Sequence, residues 1–110
     1  DPRSAAQILE AAVGLERMGC FGIVLECVPA ELARVITRRV AIPTIGIGAG
    51  PHCDGQVLVT HDLLHLSGPF HPRFARTFAR ADRVVLQAVR KFSRAVRAGT
   101  FPSRKESFYG

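Results

Sequence analysis

FGIVLECVPAELARVITRRVAIPTIGI, residues 21 to 47, is the stretch on which the fold turns. Its first five residues form a continuous apolar run, too short for a helix and rich in branched side chains, which reads as a strand buried on both faces. The run closes at Glu26. Pro29 fits the first turn of a following helix, where its missing N–H costs nothing, and Glu31 sits near the positive end. Leu32, Val35 and Ile36 supply the buried face of that helix, and Arg38 and Arg39 complement its negative end. Ile42 to Ile47 makes a second buried strand. Strand, helix, strand with short joints is the βαβ pattern, with a right-handed crossover in a parallel sheet.

Upstream, Ser4 to Met18 places Ile8, Leu9, Ala12 and Leu15 on one helical stripe, with a Ser4–Gln7 capping box and Gly19 as the stop. Downstream, GIGAGPHCDGQVLV at 46 to 59 is a Gly-rich turn followed by a third strand, Gln56 to Thr60. The joint leaves no room for a full crossover helix, so it holds a very short helical turn or departs from the simple pattern. After the turn-rich LLHLSGPFHP, Arg73 to Ala81 reads as helix. Asp82 caps a longer one carrying Val85, Ala88, Val89, Phe92 and Val96 to Gly99. Residues 100 to 110 have no periodicity and are expected to be an extended tail.

The class is therefore α/β. Three buried parallel strands with three or four helices cannot close a sheet, because such strands need cover on both faces and neighbours on both edges. Residues 1 to 110 are expected to be part of a larger α/β unit. A start at Asp1 without Met fits a processed product or the ordered remnant of something longer.

Composition bounds the function classes. A 47% hydrophobic, 22% charged chain of 110 residues is ordinary for a globular domain and argues against disorder. Nothing approaches a membrane-spanning apolar run, so no membrane partner is expected. The net charge of +6 comes from 15 basic residues, 13 of them Arg by count of the sequence, concentrated after His71 between apolar residues at helical spacing. They read as outer helix faces or as a surface for phosphate or nucleic acid; one Tyr and no Trp give little for bases to stack on. Cys20, Cys27 and Cys53 show no CxxC spacing and read as buried free thiols rather than zinc ligands. His61 and His65 stand four apart but lack the intervening Glu of HExxH, so no metal site is read within the chain.

LECVPAELARVIT, IPTIGIGAGPHCDGQVLVTHDLL and GTFPSRKESF together closely resemble the carboxyl-terminal portion of the ketopantoate (3-methyl-2-oxobutanoate) hydroxymethyltransferase family, in order and over nearly the whole chain. The resemblance implies the last three strands and helices of a TIM (β/α)8 barrel. It also implies transfer of a hydroxymethyl group from 5,10-methylenetetrahydrofolate to 3-methyl-2-oxobutanoate, giving 2-dehydropantoate for pantothenate biosynthesis. Magnesium (Mg2+) is the implied cofactor, with ligands on earlier strands outside this chain, and the implied assembly is a large homo-oligomer. A bacterial member would be cytoplasmic, a eukaryotic one mitochondrial.

The Glu of LECVP, here Glu26, is similar to the family's general base, which removes the proton alpha to the keto group. A carboxylate at the carboxyl end of a barrel strand faces the mouth, where partial desolvation would lift its pKa toward a useful range. Gly46, Gly48 and Gly50 of GIGAG are implied wall residues of the substrate site. The same loop reads bottom-up either as backbone N–H groups holding an anion or as tight geometry at the mouth, and it lacks the GxGxxG spacing. Asp54 is expected to fix the turn into the third strand, and Asp62 to cap the segment after that strand. One departure stands out: where the family commonly has Gly in a DLLGL pattern, this chain places the bulkier His65. A chain without the metal ligands should be inactive alone, which leaves a competing function: a truncated, non-catalytic relative serving as a structural or interaction subunit of a larger assembly, one that contains RNA if the basic face is used.

Overall fold

Asp1 rather than Ser4 starts the first helix. Its Oδ1 accepts the N–H groups of Arg3 at 2.8 Å and Ser4 at 3.0 Å, and Pro2 takes the first helical position, so α1 spans Pro2–Arg17. Gly19 does end it: at φ +93° its N–H reaches Glu16 O while Cys20 N–H reaches Leu15 O, the two bonds of a Schellman cap. These elements belong to a computed structural model that describes residues 1–110. It comprises two compact units, Asp1–Val59 with Pro72–Ala75 and Thr60–His71 with Arg76–Gly110.

The first unit holds β1 (Ile23–Glu26), α2 (Ala30–Arg39), β2 (Thr44–Ile47) and β3 (Gly55–Gln56) in a parallel sheet of order β1-β2-β3. The register pairs Ile23 with Thr44 through Glu26 with Ile47, and Ile45 with Gly55. Ile23 and Leu25 therefore share a face with Thr44 and Gly46. Against that face α2 buries Ala33 and Ile36, and α1 buries Ala12. Val40 and Ala49 complete the core. Ala33 and not Val35 is the buried partner of Ile36 on α2, and Val35 is exposed.

The opposite face corrects the expectation of strands buried on both sides. Val24 is 62% exposed and Glu26 is exposed, because α1 and α2 pack on the other face of the sheet. Phe21, expected in the strand, lies before it and is exposed. The third strand is also shorter than expected. It runs Gly55–Gln56 instead of Gln56 to Thr60, with Val57 N–H adding a bond to Gly46 O. Residues 48–54 link β2 to β3 without any helix, so the strand pair departs from the regular crossover.

The second unit carries α3 (Thr60–Leu63), α4 (Ala81–Arg97) and a 3-10 turn at Arg104–Glu106. Of the helix expected at Arg73 to Ala81, residues Arg73 to Arg80 are not helical and Ala81 opens α4. Amides of this segment serve tertiary partners instead: Phe78 and Ala79 N–H both donate to Leu63 O, and Ala81 N–H to Leu64 O. Asp82 is not the cap of α4 but its second residue. The N-cap position is Arg80, whose Nε and Nη2 donate to the Asp82 carboxylate at 2.8 and 2.6 Å. Hydrogen bonding to that guanidinium holds the Asp82 pKa down at about 2. None of the apolar stripe of α4 is buried.

His65 occupies the left-handed region, φ +59°. Its N–H donates to Asp62 O and Leu66 N–H to His61 O, so the turn is the Schellman cap of α3 with imidazole where glycine would sit without cost. The left-handed backbone costs a non-glycine residue roughly 1–2 kcal/mol, against which its Nδ1 makes a 3.1 Å hydrogen bond with Thr77 Oγ1. The tail is not wholly extended. Ser103 and Glu106 form a capping box around the 3-10 turn. Asp62, third in α3, does not cap it; buried, it accepts a hydrogen bond from Ser67 Oγ.

Candidate active site

Glu26 ends β1 on the uncovered face of the sheet, in register with Ile47. Alternation from Leu25, which points into the core, obliges it to point away from α1 and α2. The side chain is exposed, so the desolvation expected for it is not supplied by the residues of this chain. It makes no ion pair. Immediately beyond, Cys27 adopts φ +52° with its N–H on Ile47 O at 2.9 Å. Nothing in LECVP marks this left-handed residue at the strand end. Cys27 is exposed and Cys20 and Cys53 are half-buried, so none is the buried thiol that the sequence reading expects.

The Gly-rich loop is built on a buried polar knot. Thr44, fully buried at 0% exposure, donates its N–H to Asp54 Oδ2 at 2.8 Å, and its hydroxyl lies 3.1 Å from the same oxygen. Asp54 N–H returns a bond to Thr44 Oγ1 at 3.2 Å, and Thr37 Oγ1 stands 2.8 Å from it. Asp54 thus fixes the entry to β3, as its position in the sequence indicates. Gln56 Nε2 closes the loop on Gly50 O at 2.9 Å.

The three glycines of the loop differ. Gly46 is buried, with Cys53 Sγ and the Gln56 amide 3.0–3.2 Å from where a Cβ would stand. Gly48 (φ +66°) lies against the Phe74 ring, and Gly50 (φ +76°) against Ala30 at the start of α2. Gly48 and Gly50, with Cys27, Pro29, Arg73 and Phe74, line an open cavity of about 730 Å³. Gly46 does not reach it. Arg73 and Phe74, which sequence reasoning placed on a helix, enter the site because that segment is not helical.

No group of three or more His, Cys, Asp or Glu side chains in the chain is placed to hold a metal ion. Glu26 has no second carboxylate beside it to share one. The residues present do not fit a magnesium site.

The sequence profile of the ketopantoate hydroxymethyltransferase family matches residues 1–104. The chain belongs to the ketopantoate hydroxymethyltransferase family. Among curated relatives named 3-methyl-2-oxobutanoate hydroxymethyltransferase, the protein of Chlorobium luteolum is 56% identical over 98% of this chain and 39% of its own length. That of Anaeromyxobacter dehalogenans is 51% identical over 99% of the chain and 36% of its own length, and that of Thermus thermophilus 47% over 97% and 41%. The chain thus spans about two fifths of the length of the ketopantoate hydroxymethyltransferases that it matches. No helix in it is long and apolar enough to cross a membrane.

Proposed function

We propose that this chain is the carboxyl-terminal part of a TIM-barrel hydroxymethyltransferase that moves a one-carbon unit from 5,10-methylenetetrahydrofolate to 3-methyl-2-oxobutanoate, with Glu26 as general base. The observation that carries the proposal is Glu26 itself: an exposed strand-end carboxylate on the sheet face that α1 and α2 leave open. Parallel strands covered on a single face, with both sheet edges free, are what a slice of a (β/α)8 barrel presents. In a completed barrel the carboxyl ends of the strands form the mouth, and Glu26 would stand there among residues that desolvate it.

Proton removal alpha to a ketone creates an enolate that attacks the methylene carbon of the donor; both carbon–nitrogen bonds to the folate break and water supplies the hydroxyl, releasing tetrahydrofolate and the hydroxymethyl product. The residues here contribute the base and part of the wall. Magnesium, when bound by the remainder of the protein, would stabilise the enolate oxygen. The chain alone is expected to be inactive, and cytoplasmic residence and homo-oligomerisation belong to the same reading.

The test is Glu26→Gln in the full-length protein that carries this segment. Turnover should fall about 10²–10⁴-fold, and exchange of the alpha hydrogen of the keto acid into deuterated water, followed by NMR without the folate, should fall with it. Exchange at the wild-type rate would remove Glu26 from the role.

A second reading, a non-catalytic interaction subunit, draws on α4. That helix buries no residue and presents Arg90, Lys91, Arg94 and Arg97 around a surface cavity of about 630 Å³. Keto-acid exchange by the full-length protein would decide against it, and absence of exchange would favour it.

A further inference from the structure

The cavity between the end of β1 and the Gly-rich loop has one charged group in its wall, the guanidinium of Arg73. Apart from the Cys27 thiol, everything else that lines it is apolar or glycine, Pro29 and the Phe74 ring among them. Arg73 makes no ion pair. A free, permanently charged fork above apolar walls selects an anion that also carries an apolar body, and a carboxylate matches the fork in a bidentate manner.

Size separates the two anions that the transferase reading supplies. At about 730 Å³ the cavity falls within the range of pockets that take drug-sized ligands, about 300–1,000 Å³, far more than a five-carbon keto acid fills. The loop glycines add a second constraint. Gly48 lies against the Phe74 ring and Gly50 against Ala30, so the loop backbone comes close to both and adds no side chain of its own to the cavity. An open cavity with an aromatic ring and a proline in its wall and one guanidinium suits an aromatic ring followed by a carboxylate.

We infer that this cavity takes the aminobenzoyl-glutamate tail of the folate co-substrate, with Arg73 pairing with a tail carboxylate and Phe74 and Pro29 receiving the ring. The inference rests on the transferase reading, and it makes Arg73 a specificity residue for the donor while the keto acid binds elsewhere, nearer Glu26.

The experiment uses the full-length protein with Arg73→Gln and Arg73→Lys. Steady-state kinetics are measured against 5,10-methylenetetrahydrofolate, against the same donor lacking the glutamate tail, and against the keto acid. Loss of a charge-assisted hydrogen bond should raise KM for the tailed donor about tenfold or more in Arg73→Gln. The tail-less donor should show the same KM in both proteins, the keto acid KM should not move, and Lys should restore part of the effect as a point charge. A rise confined to the keto acid KM, or no change in any KM, overturns the inference. If the wild type shows no transferase turnover, the transferase reading fails separately. Calorimetric titration with aminobenzoyl-glutamate then decides, since binding lost in Arg73→Gln supports the site and absence of binding to the wild type overturns it.

Discussion

Asp54→Ala should loosen the Gly-rich loop by removing the carboxylate that ties it to Thr44. Asp54 Oδ2 is the acceptor for the Thr44 N–H at 2.8 Å and the partner of its hydroxyl at 3.1 Å, and Thr44 has no exposure to water. Hydrogen bonds to a charged group contribute about 1.5–3 kcal/mol each, and an orphaned buried donor costs about 1–3 kcal/mol. The two bonds share one oxygen and Asp54 is itself exposed. Water can thus partly replace it, so the sum is not additive and about 2 kcal/mol is the expected loss. Urea unfolding of the full-length protein, followed by circular dichroism, should show that loss in the midpoint with the slope unchanged. Amide exchange gives the local reading. A loss of about 2 kcal/mol is about a thirtyfold fall in protection of the Thr44 amide. The double variant with Thr44→Val should show coupling of about 1 kcal/mol or more. Loss below about 0.5 kcal/mol with Thr44 still protected would refute the knot as the anchor of the loop.

Two glycines in the left-handed region should part company. Gly50→Ala meets the Ala30 Cβ, which cannot swing away, and should cost about 3 kcal/mol, whereas Gly99→Ala meets open space and should cost only the backbone term of about 1 kcal/mol; equal losses in denaturant unfolding would mean the loop does not pack on α2. Asp82 has a native pKa held at about 2 by the Arg80 guanidinium, below its unfolded value. Its contribution is therefore complete above about pH 4 and lost as the pH falls toward 2. Asp82→Asn should remove that acid-side component from the pH dependence of stability, and an unchanged acid limb would contradict the pairing. The Glu26→Gln and Arg73→Gln outcomes complete the set.

Much of the first unit was legible because its signals are local. FGIVL, the proline at 29 and the glycine at 19 report strand, helix start and helix stop through covalent properties of the residues involved. Asp54 was legible for the same reason, a turn acid beside a strand. Arg73 to Ala81 was not, because its helical spacing is overridden by Leu63 and Leu64 carbonyls that capture the amides. Ser103 with Glu106 is a capping box that the tail sequence carries in the spacing SRKE, although the tail has no apolar periodicity around it. The site divided similarly. Glu26 and GIGAG were marked by motif, while Arg73 and Phe74 join the cavity through a segment whose shape only tertiary hydrogen bonds decide.

By itself the sequence determined the α/β class, the parallel order of strand, helix and strand, and the family, since apolar periodicity and motif spacing are properties of neighbours along the chain. Tertiary structure alone decided which sheet face lies open, which glycine walls the cavity, and that a lone guanidinium stands in it. Those depend on what packs against each strand from elsewhere in the first unit: α1 and α2 satisfy one face and leave Val24 and Glu26 exposed on the other. The open face is the one on which alternation places Glu26.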